Sequence, residues 1–155
     1  MIWTEFIELM RNEGKELWLI LWLAVWTLWD LRYQKICCWQ GILVLVTGLI
    51  WRGIDGQLFT ATVPAGMALG LAAWSFSLAT EDRFGRGDAM VIWCLGLYLG
   101  FGTGLAVLMW GLLIASAVSL YLLWCRKKTK DQSIPFIPCL AAGLLIQQGL
   151  EWISR

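Results

Sequence analysis

The sequence predicts an all-α, polytopic membrane protein with about six transmembrane helices in a single domain, residues 1–155. Hydrophobic residues make up 59% of the 155 residues and charged residues 15%, and there are twelve tryptophans. Soluble domains contain about 45–50% apolar and about 25% charged residues. Six spans of about 20 residues use roughly 120 positions. Too few residues remain for a separate soluble domain.

The composition excludes several kinds of chemistry. The chain has no histidine, which rules out triads with an imidazole base and histidine-ligated zinc. Its five cysteines show no C-x-x-C spacing, so neither a disulfide framework nor a zinc ribbon is expected. A net charge of +1 argues against a nucleic-acid partner. We therefore expect no metal, no cofactor and no nucleic acid.

The first fifteen residues combine acidic, basic and apolar side chains, and the apolar positions recur at helical spacing. This pattern predicts an amphipathic helix over residues 1–15 that lies on the membrane surface. Glu5 and Glu8 occupy what would be the basic region of a secretory signal, which argues against one. The spans that follow are predicted at residues 16–35, 37–53, 61–80, 89–99, 105–125 and 136–153.

Each span is supported by a local pattern. An apolar run of residues 17–29 forms the first span, and the shorter run 41–51 forms the second. In the third span, Gly66 and Gly70 have the small-xxx-small spacing that permits close helix approach. The glycine-rich stretch 100–104 separates the fourth span from the fifth. An alternative has five spans, with residues 89–124 as a single bent pair.

The basic residues predict the orientation. With six spans, the loops after spans one, three and five share one side of the membrane. Eight basic residues lie in those loops and four on the other side, which predicts that the first set is cytoplasmic and that both termini are outside. Asp30 and Asp88 then lie at the cytoplasmic boundary. The first set consists of Arg32, Lys35, Arg83, Arg86, Arg126, Lys127, Lys128 and Lys130.

Three motifs lie at span boundaries on that side. Asp30 ends the first span, and Gly85-Arg86-Gly87-Asp88 opens the fourth as a G-x-G-D sequence. The segment Ile134-Pro-Phe-Ile-Pro-Cys-Leu-Ala-Ala-Gly143 opens the sixth. A charged residue at a membrane span needs a reason. Two aspartates on one side, from different spans, predict a shared site.

With these motifs the chain resembles the type IV prepilin peptidases, which are aspartic intramembrane proteases with a G-x-G-D signature. The resemblance covers nearly the whole hydrophobic chain. Two positions depart from the family pattern: Ile36-Cys37-Cys38 stands where Ile-Pro is usual, and Met90 where lysine is usual. The methyltransferase region of larger members, with its paired C-x-x-C motifs, has no counterpart in this sequence. The chain is similar to the compact, peptidase-only form, such as the enzymes of tight-adherence (Tad/Flp) pili.

The resemblance implies a membrane aspartic endopeptidase that cleaves the basic leader from prepilin or pseudopilin-like substrates. It implies Asp30 and Asp88 as the catalytic pair, no cofactor, and a location in the cytoplasmic membrane. The motif and substrate-binding residues that it implies are Gly85, Gly87, Pro135, Phe136 and Pro138.

Two neighbouring carboxyl groups share a proton, and such a pair titrates as a unit. Because Asp88 lies at a helix N-terminus and Asp30 near a helix C-terminus, we expect Asp88 as the base and Asp30 as the acid. Glu81 and Asp82 are candidates for attracting a basic leader.

Two other functions remain open. A small proton- or cation-coupled transporter would use the same two aspartates to bind its ion. The sequence shows no internal repeat of the kind that carriers have, and both aspartates lie at an edge. An inactive relative of the peptidases that acts in pilus assembly is the other alternative, consistent with the missing lysine and Ile-Pro.

Overall fold

The computed structural model describes residues 2–33, 38–56, 60–80, 85–126 and 135–153. These residues form five α-helices and no strand, which confirms the all-α prediction. The helices are α1 (Ile2–Tyr33), α2 (Cys38–Ile54), α3 (Thr62–Ala79), α4 (Arg86–Arg126) and α5 (Ile137–Ile153).

The first helix is longer than predicted. α1 continues without interruption from the region predicted to lie on the membrane surface into the predicted first span. With 32 residues at 1.5 Å per residue, it is about 48 Å long. The boundary predicted between residues 15 and 16 therefore coincides with no break in the helix.

α4 reverses direction at a single glycine. Gly100 has φ 82° and ψ 175°, a backbone conformation that glycine adopts without a steric penalty. A Cβ atom on Gly104 would lie 3.3 Å from the Cα atom of Gly96, whereas residues eight positions apart in a straight helix are about 12 Å apart. The chain thus folds back at Gly100 into two packed arms, residues 86–99 and 101–126. These arms occupy the regions predicted as separate fourth and fifth spans, although the predicted break extended to Gly104.

Among the described residues, two helical segments are long and apolar enough to cross a membrane, namely Thr62–Ala79 and Arg86–Cys125. Two further apolar helices are shorter, Cys38–Ile54 and Ile137–Ile153. α3 and the second arm of α4 expose large hydrophobic side chains, including Phe76, Leu113 and Trp124, whereas most apolar side chains of the first arm are buried. Apolar helices with so little of their surface covered are unlike the buried core helices of a soluble protein.

Glycines bring α3 against the first arm of α4. A Cβ atom on Gly66 would overlap the carbonyl oxygen of Gly96, and one on Gly70 would overlap the Trp93 side chain. The close approach predicted from the spacing of Gly66 and Gly70 is therefore confirmed, and the partner helix is α4.

Charged side chains join three helices at one end of the bundle. Lys15 of α1 forms an ion pair with Asp55, which follows the C-terminus of α2 and has a side chain only 1% exposed. Arg52 of α2 donates hydrogen bonds to the carbonyl oxygens of Leu97 (3.0 Å) and Tyr98 (3.2 Å). The bend at Gly100 takes those two carbonyl groups away from their regular helical partners, and buried carbonyl groups need donors. We call Lys15, Arg52 and Asp55 the clamp.

Candidate active site

Asp30 lies at the end of the buried face of α1. Leu19, Leu23 and Trp26 are almost fully buried on this helix, and their spacing of four and three residues defines one helical face. Asp30 follows at the next position on the same face and is only 7% exposed. Its Oδ2 atom accepts a hydrogen bond from the backbone N–H of Ile137, at 3.3 Å. The first and third motifs of the sequence are thus in direct contact.

Asp88 lies in the first turn of α4. The helix begins with a hydrogen bond from the N–H of Ala89 to the carbonyl oxygen of Gly85, at 3.2 Å. Ala89 is fully buried, which fixes this turn against the rest of the bundle. A Cβ atom on Gly85 would lie 3.2 Å from Asp88 Oδ2. Glycine at position 85 therefore leaves the space in which the carboxyl group lies.

The two carboxyl groups interact with each other. Asp30 and Asp88 come from different helices but are close enough for their charges to act on one another. Within the described residues, neither of them forms a salt bridge with a lysine or an arginine. Charge on one of two neighbouring carboxyl groups disfavours charge on the other, so such a pair can share one proton. A pair that shares a proton can act as a general base and a general acid.

The start of α5 completes the site. Pro135 and Phe136 precede the helix, and the Phe136 carbonyl oxygen accepts hydrogen bonds from the N–H groups of Cys139 and Leu140, both at 3.1 Å. The Ile137 side chain is fully buried, which anchors the first turn. The Cys139 side chain, also buried, lies near enough to Asp30 to interact with its charge.

Some of the predicted site residues lie together in the structure, and others lie outside the described residues. Asp30, Asp88 and the first turn of α5 meet at one end of the bundle, and Gly85 adjoins Asp88. Gly87 lies in the same turn as Asp88, and Pro138 in the first turn of α5. Glu81, Asp82 and Cys37, about which the sequence raised further expectations, lie outside the described residues.

The expected assignment of base and acid loses its physical basis. It depended on the C-terminal end of α1 disfavouring charge on Asp30. The structure places the N-terminus of α5 against Asp30, and a helix N-terminus stabilises negative charge. Both aspartates therefore lie at helix N-termini, and the helix dipoles alone do not distinguish them.

Met90 has a packing role that the sequence did not reveal. It occupies the position of the lysine in the family that the chain resembles, and it is only 5% exposed. A Cβ atom on Gly41 of α2 would overlap the Met90 side chain. An apolar side chain at this position fills the contact between α2 and α4 instead of adding a charge near Asp88.

Ile137 was not predicted as a site residue, because its contribution comes from the backbone. The signal available was its position between Pro135 and Pro138 at a predicted helix start.

Among the described residues there is no group of three histidine, cysteine, aspartate or glutamate side chains placed to hold a metal ion. Comparison of the chain with models of known protein families, with curated proteins and with solved structures finds no match.

Proposed function

We propose that the chain is a membrane aspartic endopeptidase that removes the basic leader from prepilin or pseudopilin-like proteins at the cytoplasmic boundary of the membrane. One observation carries the proposal: Asp30 and Asp88, from two separate helices, interact at one end of the bundle without a cationic partner among the described residues. Aspartates retained for stability are normally paired with a cation or hydrogen-bonded throughout.

The chemistry follows from that pair. The ionised carboxyl group takes a proton from a water molecule, whose oxygen attacks the carbonyl carbon of the scissile peptide bond. The protonated carboxyl group donates its proton to the carbonyl oxygen. As the tetrahedral intermediate collapses, the C–N bond breaks and the leaving nitrogen receives the proton first taken from water, while a hydroxyl group of the intermediate returns a proton to the second carboxyl group. A peptide bond and one water are thereby converted to a carboxylic acid and an amine.

The membrane arrangement that we propose has six crossings, formed by α1, α2, α3, the two arms of α4, and α5. The apolar, largely uncovered surfaces of α3 and of the second arm of α4 support it. At 17 residues each, α2 and α5 are about 26 Å long, near the lower limit for crossing a bilayer, and the first arm of α4, residues 86–99, is shorter still at about 21 Å. Arg32 and Arg86 lie at the end of the bundle that holds the aspartates, as expected for the cytoplasmic side.

The test is cleavage of a purified prepilin with a basic leader and a hydrophobic first helix, by the full-length protein in detergent. We expect one cut between leader and helix, located by mass spectrometry of both products. If the wild-type protein cleaves no member of a panel of prepilins and pseudopilins, the peptidase proposal is overturned and a non-enzymatic role in pilus assembly is favoured. Cleavage that persists in both Asp30→Asn and Asp88→Asn would also overturn it.

A further inference from the structure

The N-terminus of α5 makes a directed contact with only one of the two aspartates. The backbone N–H of Ile137 donates to Asp30 Oδ2 at 3.3 Å, and both residues are buried, with Asp30 7% and Ile137 0% exposed. A hydrogen bond between a backbone N–H and a carboxylate is stronger than one between neutral groups. Burial keeps water from replacing it.

The hydrogen bonds of the first turn of α5 explain why this donor is free to contact Asp30. A helix begins with N–H groups that have no partner within the helix. Here the N–H groups of Cys139 and Leu140 both bond to the Phe136 carbonyl oxygen, and Pro138 has no N–H. Ile137 is the remaining donor of the turn, and it points at Asp30.

Asp88 lacks an equivalent donor. Among the residues that the structure describes, none donates a hydrogen bond to its carboxyl group. Its carboxyl group lies against Gly85, whose carbonyl oxygen already accepts the N–H of Ala89. Both aspartates lie at helix N-termini, so the difference between them is the direct N–H contact. The other titratable groups that face Asp30 in the described structure are Asp88 of α4 and Cys139 of α5.

On the basis of the proposed peptidase function, we propose that the Ile137 N–H is a positioning group that holds Asp30 as the general base, which leaves Asp88 as the general acid. Asp30 takes the proton from the attacking water, and Asp88 gives its proton to the carbonyl oxygen. When the C–N bond breaks, the nitrogen takes the proton held by Asp30, and Asp88 recovers a proton from the intermediate. This assignment is the reverse of the one expected from the helix positions in the sequence.

The decisive comparison is Ile137→Pro against Ile137→Val. Proline is tolerated at the first position of a helix and removes the N–H, whereas valine keeps the N–H and most of the side chain. Phe136 lies outside the helix and is compatible with a following proline. If Ile137→Pro does not fold, a backbone ester at position 137, introduced as the hydroxy-acid analogue of isoleucine, removes the N–H and keeps the side chain.

The first readout does not require cleavage. In an Asp88→Asn background, Asp30 titrates without its carboxyl partner, and isotope-edited infrared spectroscopy measures the pH at which it becomes protonated. The Asp30→Asn/Asp88→Asn double variant supplies the background spectrum. Because the N–H stabilises the charged carboxylate, its removal moves this pH upward by about one unit relative to the valine variant. Equal values in the two variants would overturn the inference.

The second readout is the pH profile of kcat/KM with Asp88 present. The acidic limb reports loss of the first proton from the pair, so it moves to higher pH in Ile137→Pro than in Ile137→Val. A lower rate with an unmoved acidic limb would mean that the N–H supports the fold only, and the base assignment would fail. Undiminished cleavage by Asp30→Asn and Asp88→Asn would instead overturn the peptidase function itself, whatever the infrared result.

Discussion

The buried charged side chains at the two ends of the bundle have opposite kinds of partner. At the clamp, Asp55 is paired with Lys15, and Arg52 is bonded to two carbonyl groups. About 22 Å away along α1, by the rise of a helix between residues 15 and 30, Asp30 and Asp88 interact with each other. The clamp joins helices through opposite charges and satisfied hydrogen bonds. Two interacting carboxyl groups add little stability, which is the arrangement expected where charge serves chemistry.

Removal of the Asp55 side chain should have the largest effect on stability. We expect Asp55→Ala to lower the free energy of unfolding by about 3 kcal/mol, because Lys15 then loses its carboxylate partner in a buried position. The thermal unfolding midpoint in detergent measures this effect. Glu16→Ala, which removes an exposed carboxylate one residue from Lys15, is the matched control and should leave the midpoint nearly unchanged. Equal unfolding midpoints for the two variants would show that the ion pair of the clamp does not stabilise the fold.

Replacement of Arg52 should have the next largest effect on stability. Arg52→Met removes the donors to the carbonyl groups of Leu97 and Tyr98, which costs about 2 kcal/mol. Arg52→Lys keeps the charge but loses the planar arrangement of several donors, so its unfolding midpoint should lie between those of the methionine variant and the wild type. If lysine and methionine destabilise the protein equally little, the bend at Gly100 does not depend on this contact.

At the other end, a small change next to Asp88 should affect activity more than stability. In Gly85→Ala, the new Cβ would lie 3.2 Å from Asp88 Oδ2, so the carboxyl group must shift by a few tenths of an ångström. We expect kcat/KM for prepilin cleavage to fall about three- to tenfold through this misplacement. Gly149→Ala is the control, since a Cβ there meets nothing within 4 Å. Equal rates in both variants would show that Gly85 does not set the position of Asp88.

The smallest effect expected is that of Asp88→Asn on stability. Removing one of two like charges relieves their repulsion, so the free energy of unfolding should change by less than about 1 kcal/mol, and any change should be stabilising. The measurement is the same thermal midpoint as for Asp55→Ala. If the unfolding midpoint falls as far as in Asp55→Ala, Asp88 stabilises the fold as Asp55 does, and the two ends of the bundle do not differ in this respect.

Helices were predicted well from the sequence because hydrophobic runs and glycine punctuation are local signals. The ends of α2, α3 and α5 follow the apolar segments closely. The spacing of Gly66 and Gly70 predicted a close helix contact without identifying α4 as the partner. The glycine-rich stretch predicted the reversal within α4, but only Gly100 leaves the helical conformation. Which of several glycines bends depends on packing, as Gly104 is needed for contact with Gly96.

The side chains of the candidate site could be predicted from the sequence, but its backbone hydrogen-bond donor could not. Asp30 and Asp88 were predicted as candidates because charged residues are rare at membrane spans and because their motifs resemble those of the type IV prepilin peptidases. The pairing of Lys15 with Asp55 could not be predicted, because only the tertiary fold brings the predicted surface helix of residues 1–15 against the connection between the predicted spans 37–53 and 61–80. The donor from Ile137 was also missed, since every residue except proline has a backbone N–H and only the geometry shows which one is used.

Cleavage of a purified prepilin by the wild type, Asp30→Asn, Asp88→Asn and Asp55→Asn, each normalised to the amount of folded protein, decides whether the paired aspartates cut peptides. We expect each of the first two substitutions to reduce kcat/KM by at least about a thousandfold, because a dyad fails when either member is lost. Asp55→Asn should retain the wild-type rate per folded molecule. If Asp30→Asn or Asp88→Asn keeps more than about a tenth of the wild-type rate, or if Asp55→Asn loses as much as they do, the two aspartates are not the catalytic pair.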